Sequence, residues 1–186
     1  MIQVRNGVFE TNSSSTHSIC ISRECVEPGD YISFHIGEFG WTNDEVSAAD
    51  YLYTAILESD DWQEKLDKLK NALDDNNVSY DFEEPQWECN ESGYCFLVNG
   101  YIDHWSETQE FVNEVLNNDD MLMRLLFGNS FVYTGCDNWD EENPKCYAAS
   151  DTYWEDYQDE NGEWQSREMS NPNHDAEHYE YFFKGN

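Results

Sequence analysis

Forty acidic residues stand against nine basic ones in this chain of 186 residues, a formal net charge of −31. At least 31 carboxylates therefore have no cationic partner within one molecule. A chain of this kind folds as a very acidic surface wrapped around a core drawn from its other residues. Aromatic residues make up 16 % of the sequence, enough to build that core and to argue against overall disorder. By length the chain is one domain. We divide it into an α+β core over residues 1–135 and an acidic, aromatic extension over 136–186, packed on the same domain.

A compact chain of this length has a radius of gyration of roughly 16 Å and is about 40 Å across. Duplex DNA carries one charge per about 1.7 Å, or about 24 over that distance. The chain thus matches a nucleic acid in charge per length. It is expected to repel DNA, RNA and anionic membranes, and to attract the basic clefts that hold nucleic acids. Acidity of this degree also serves plain solubility or a saline habitat.

No basic region followed by an apolar run opens the sequence, and no apolar run reaches about 18 residues. The expected location is the cytoplasm of a bacterial host cell. The six cysteines are then expected as reduced thiols. They form no C-x-x-C pair, so no zinc site is read from them. We expect no cofactor.

Taken in order, the chain alternates strand and helix signals without strict βαβ order. Strands are expected at 2–5, His17–Ser22, Tyr31–Ile36, Val78–Phe82, 94–98, 101–104, Phe131–Thr134 and 179–183. A first helix is expected from a cap at Thr42 or Asn43, with Asp44 and Glu45 in its first turn, burying Val46, Tyr53, Ile56 and Leu57. A second runs from an Asp61 cap over Trp62–Leu73, with Trp62, Leu66, Leu69 and Leu73 on one face. Lys65, Lys68 and Lys70 on that helix are expected to pair with Glu64 and Asp67. A third covers Ser106–Leu116, with Ser106 and Gln109 as a capping box. Asn118 opens a fourth, Asp119–Phe127, closed by Gly128. Asn161-Gly162 marks a hairpin between 153–158 and 163–169. The fold class is α+β, with a mostly antiparallel sheet, about four helices and an aromatic-rich core.

The densest set of reactive groups is Arg5 to Ser18, R-N-G-V-F-E-T-N-S-S-S-T-H-S. Arg5 suits a phosphate, and Asn12 a developing negative charge. His17 is a general base or acid near neutral pH, with Ser13, Ser14, Ser15 or Ser18 as its partner. That is the set a small nuclease needs. The same residues also make an ordinary serine-rich turn ahead of a strand.

This run resembles the opening of uncharacterised phage and mobile-element proteins of Firmicutes. The stretch from Leu125-Leu126-Phe127-Gly128 through Val132 to Asn138 is similar to a second part of them. The resemblance implies a phage or mobile-element source rather than a reaction. It makes Arg5, Glu10, Asn12, Ser13, Ser14, Ser15 and His17 stronger site candidates. In size and charge the chain is also similar to acidic anti-CRISPR and anti-restriction proteins, many of which occupy the nucleic-acid channel of a defence enzyme.

Two metal-like patterns are weaker. Asp159, Asn161, Gly162 and Glu168 fit positions of a calcium loop, but Tyr157 stands where that loop needs Asp. His174, Asp175, Glu177 and His178 follow Asn171-Pro172-Asn173, which reads as a loop. The acidic clusters remain. Asp60, Asp61, Asp74, Asp75, Glu83, Glu84, Asp119, Asp120, Asp140, Glu141, Glu142, Glu155, Asp156, Asp159 and Glu160 are the candidate partner-binding residues.

The favoured expectation is an inhibitor that uses this surface to occupy a basic channel, with a Cas9-type nuclease or its guide-RNA complex as first partner. The alternatives are a small nuclease acting on guide RNA through the N-terminal residues, and a non-catalytic phage interaction domain. The charge argues against the nuclease, because a free polyanion would be repelled.

Overall fold

The computed structural model describes residues 17–40, 44–93, 95–102, 105–135 and 148–184. The expected strand at 2–5, the expected cap at Thr42 or Asn43, and the candidates Arg5, Glu10, Asn12, Ser13, Ser14, Ser15, Asp140, Glu141 and Glu142 lie outside these residues. The fold is α+β, with four helices and mostly antiparallel pairing among the described residues.

The strands are β1 (His17–Ser22), β2 (Tyr31–Phe34), β3 (Glu38–Phe39), β4 (Asp44–Val46), β5 (Ser79–Phe82), β6 (Trp87–Cys89), β7 (Cys95–Leu97), β8 (Tyr101–Ile102), β9 (Phe131–Thr134), β10 (Thr152–Gln158), β11 (Trp164–Ser170) and β12 (Tyr179–Lys184). The helices are α1 (Ala48–Leu57), α2 (Trp62–Asp75), α3 (Trp105–Leu116) and α4 (Asp119–Phe127).

The main sheet has the order β12-β1-β9-β4, antiparallel throughout. Strand β1 lies inside it, and all six of its residues are buried. Side chains alternate across a strand. Ile19 and Ile21 therefore join the main core with the helices. Cys20 faces the other way, into a smaller cluster with Ala148 and Ala149 under Phe131, Tyr179 and Tyr181.

Helix α1 is the centre of the main core. Every residue from Tyr51 to Leu57 is buried, so it is covered on all sides rather than along one stripe. Its start differs from the expectation. Asp44 and Glu45 do not open a helix but form β4 against β9, with Val46 opposite Val132. The cap is Ser47, whose hydroxyl accepts the Asp50 N–H at 3.3 Å. In α2, Leu66, Leu69 and Leu73 are buried as their spacing requires. Asp61 makes no side-chain cap there and pairs with Lys65 instead. Gln109 turns away from its own helix start. It accepts from Lys65 Nζ at 2.7 Å and donates to the Ala55 carbonyl at 3.2 Å.

Two pairings are parallel, β2 with β5 and β3 with β8. In the first, the Phe34 and Phe82 rings stack at 4.5 Å, with Tyr53 beside both. The turn at Asn99-Gly100, where Asn99 has φ 57°, leads into β8. Strand β6 was not expected; it pairs with β7 in a hairpin closed by a Cys89–Cys95 disulfide. This corrects the expectation of reduced thiols for these two cysteines. The pair sits directly opposite in the hairpin register, which brings the sulfurs within bonding reach. Cys20 and Cys25 are free thiols.

The hairpin β10–β11 forms its own two-stranded sheet. Asn161-Gly162 lies in its tip, where Asp159 Oδ1 accepts the N–H groups of Asn161 and Glu163. Among the described residues no helix is long and apolar enough to cross a membrane.

Candidate functional site

Of the N-terminal candidates only Ser18 and His17 lie among the described residues, and His17 comes first. It opens β1 and is 1 % exposed. It shares the core-facing side of the strand with Ile19 and Ile21. Its Nδ1 is 2.7 Å from the Tyr51 hydroxyl, on α1. The rings lie 5.7 Å apart, and Phe39 and Phe111 pack around Tyr51. Ser18, named as a possible partner for His17, points the other way. It is fully buried, and its Oγ accepts the Ala149 N–H at 2.9 Å. Strand alternation separates the two side chains.

Glu58 belongs to the same buried neighbourhood. It lies seven residues after Tyr51 and ends α1. Its Oε2 accepts the Ile102 N–H at 3.0 Å and so ties α1 to β8. Burial pushes its carboxyl up to about 7, against the lowering effect of that hydrogen bond. Burial first, and the Glu58 charge second, hold the Tyr51 phenol well above its usual range. The histidine and phenol are internal and the carboxyl is half-buried, and together they fix α1 against β1 and β8. A general base must reach its substrate; His17 is sealed from solvent.

The acidic candidates behave differently. Asp60, Asp61, Asp74, Asp75, Glu83, Glu84, Asp119, Asp120, Asp156 and Glu160 are all exposed, and Glu155 and Asp159 are half-buried. They sit at the α1–α2 junction, the end of α2, the end of β5, the start of α4 and the β10–β11 hairpin. Some have local duties. Glu83 Oε2 accepts the Ile36 N–H at 2.9 Å, and Asp61 pairs with Lys65 at 2.7 Å. Hydrogen bonds from Lys65 lower the Asp61 carboxyl, and backbone N–H groups of the hairpin tip lower that of Asp159.

Two of the described cations, Lys65 and Arg124, are held inward, while Arg23, Lys68 and Arg167 are exposed. Lys65 is 5 % exposed and lies between Asp61 and Gln109. Lys68 pairs with Glu64, as expected, and Arg167 with Glu155. Lys70 sits over the Phe82 ring at 5.7 Å. Arg23 and Arg124 share Glu180 beside a cleft of about 380 Å³ that Cys25 also lines. Arg124 also donates to the Ser22 carbonyl at 2.7 Å, locking α4 to β1. Five of the six basic side chains described are thus in ion pairs, and these engage only four carboxylates.

The metal-like patterns resolve into local hydrogen bonds. Residues 157–168 form the hairpin with its Asp159-centred tip. His174 Nδ1 meets the Ala148 carbonyl at 3.1 Å, and His178 Nδ1 meets the Asp175 carboxylate at 2.9 Å. Hydrogen bonding to Asp175 raises the His178 imidazole.

No family model, curated protein or solved structure matches this chain.

Sequence reasoning passed over Tyr51 and Glu58. Their signal was the spacing of seven, two helical turns on one face of α1. It also passed over Trp164, which is 70 % exposed beside the hairpin tip. Its signal was an aromatic residue set among acids with no apolar neighbours in sequence.

Proposed function

We propose that this chain is a binding protein that presents its acidic surface to the basic, nucleic-acid-holding channel of another protein. In this reading it is a phage or mobile-element inhibitor of a host defence enzyme. An RNA-guided nuclease of the Cas9 type is the first partner to test.

The observation that carries the reading is the asymmetry of the ion pairing. Five of the six described basic side chains are committed to ion pairs within the chain, while carboxylates at five separate places face solvent. A surface with so large an excess of carboxylates repels polyanions and draws Lys- and Arg-rich clefts, with fast and salt-sensitive association. The burial of His17 weighs against the nuclease alternative, since the chain's N-terminal histidine has no open path to an RNA phosphate.

The test is a titration of the protein against a guide-loaded Cas9-type nuclease, following DNA cleavage and guide integrity together. The reading expects cleavage to stop near equimolar protein with the guide intact, and added salt to relieve the block. Shortening of the guide at substoichiometric protein would overturn it in favour of an enzyme.

A further inference from the structure

The β10–β11 hairpin is structure that the core does not require. It forms a sheet of two strands only, and its described side chains along β11 are exposed apart from the partly buried Met169. It is anchored at its base: the Asn171 N–H donates to the Asp151 carbonyl and Asn171 Nδ2 to the Ser150 carbonyl. Seven paired residues at about 3.4 Å each give an arm about 24 Å long. An isolated two-stranded ribbon is marginal in water, so such an arm gains from a surface to lie against.

Its chemistry names that surface. Residues 152–170 carry six carboxylates and one arginine, and Arg167 is already paired with Glu155 and set over the Tyr157 ring at 5.1 Å. Pairing places Asp156 opposite Ser166 and Gln158 opposite Trp164, on one face of the ribbon. Trp164, 70 % exposed, stands at the tip beside Glu160 and Glu163. Tryptophan is the residue type that most often anchors an interface, and its ring face attracts guanidinium and ammonium groups. Carboxylates around an open indole recognise arginine twice, by charge and by stacking.

We propose that the β10–β11 hairpin is the docking arm of this protein, and that it inserts into an arginine- and lysine-lined groove of a partner protein, with Trp164 as the anchor. This rests on the basic-partner reading above and assigns it to one element.

The test measures binding of a fluorescent oligo-arginine peptide of about 12 residues to the full chain at about 50 mM salt. Three variants are compared, each first checked for an unchanged melting curve. One converts Asp156, Glu160, Glu163 and Glu168 to the matching amides. A control converts Asp60, Asp75, Glu84 and Asp119, for the same change in charge. The third is Trp164→Ala. The arm variant is expected to weaken binding about tenfold, the control no more than about threefold, and Trp164→Ala about fivefold. Equal losses in the two charge variants would overturn the docking arm and leave the basic-partner reading standing. No binding of the parent chain would overturn both. Binding of a DNA duplex to the arm in place of the peptide would do the same.

Discussion

The Nδ1 of His17 lies 2.7 Å from the hydroxyl of Tyr51, in a site where the histidine is 1 % exposed and the tyrosine fully buried. The bond joins the first residue of β1 to the central helix α1 across 34 residues of sequence. It ties the most chemically suggestive histidine of the chain into the core.

Removing one side of that bond therefore registers as lost stability. Tyr51→Phe keeps the ring and deletes the hydroxyl that meets His17 Nδ1. The expected cost is about 1–3 kcal/mol in urea unfolding. His17→Ala, which also opens a cavity, should cost more. A Tyr51→Phe midpoint equal to that of the parent would show that the contact contributes nothing.

Glu58 sets a pH dependence. Its folded carboxyl titrates near 7, above the ordinary value of 4.5, so the folded state holds the proton more tightly. Its contribution is fully present below about 4.5 and is lost as pH rises through about 7. Glu58→Gln keeps an oxygen for the Ile102 N–H and removes the buried charge. It should match the parent near pH 4 and exceed it above pH 7 by about 1–2 kcal/mol, allowing for partial exposure. Parallel stability curves from pH 4 to about pH 8 would refute this.

The disulfide gives a prediction by residue. Reduction of Cys89–Cys95 should loosen the β6–β7 hairpin and cost about 2 kcal/mol. In the native protein, alkylation mapped by peptide should mark Cys25 quickly. Cys20 should react only on unfolding, because it is fully buried between β1 and residues 148–149.

Much of this architecture was written in local sequence. The apolar spacing of α2, the Asn118 cap and Gly128 end of α4, and the turn residues of the β10–β11 hairpin each specify structure within a few residues. Asp44 and Glu45 misled because acids ahead of an apolar run suit a helix start as well as a strand; pairing with β9, almost ninety residues on, decides between them. The parallel pairs β2–β5 and β3–β8 leave no local trace for the same reason. Lys65 looked like a surface lysine, yet it is buried by α3 through Gln109. The direction of His17 followed from strand alternation, but only once Ile19 and Ile21 were known to face the core. Surface acidity, by contrast, was readable outright, since unpaired carboxylates must stay in water.

Gly128 tests the packing at the end of α4. A Cβ there would lie 2.5 Å from the Arg124 carbonyl oxygen, which also accepts from Ser130 Oγ at 2.6 Å. Gly128→Ala must displace that backbone and should lower stability by about 1–3 kcal/mol in thermal unfolding. An unchanged melting temperature would show that the turn yields freely.

We propose that exposed carboxylates, outnumbering the cations, make this chain a ligand for basic nucleic-acid channels. The most direct measurement is the equilibrium affinity for a Cas9-type nuclease as salt rises from about 50 to about 200 mM. If the claim holds, affinity should fall at least about a hundredfold over that range, as for a polyanion held in the same channel. An affinity unchanged by salt, or no binding at about 50 mM, would contradict it.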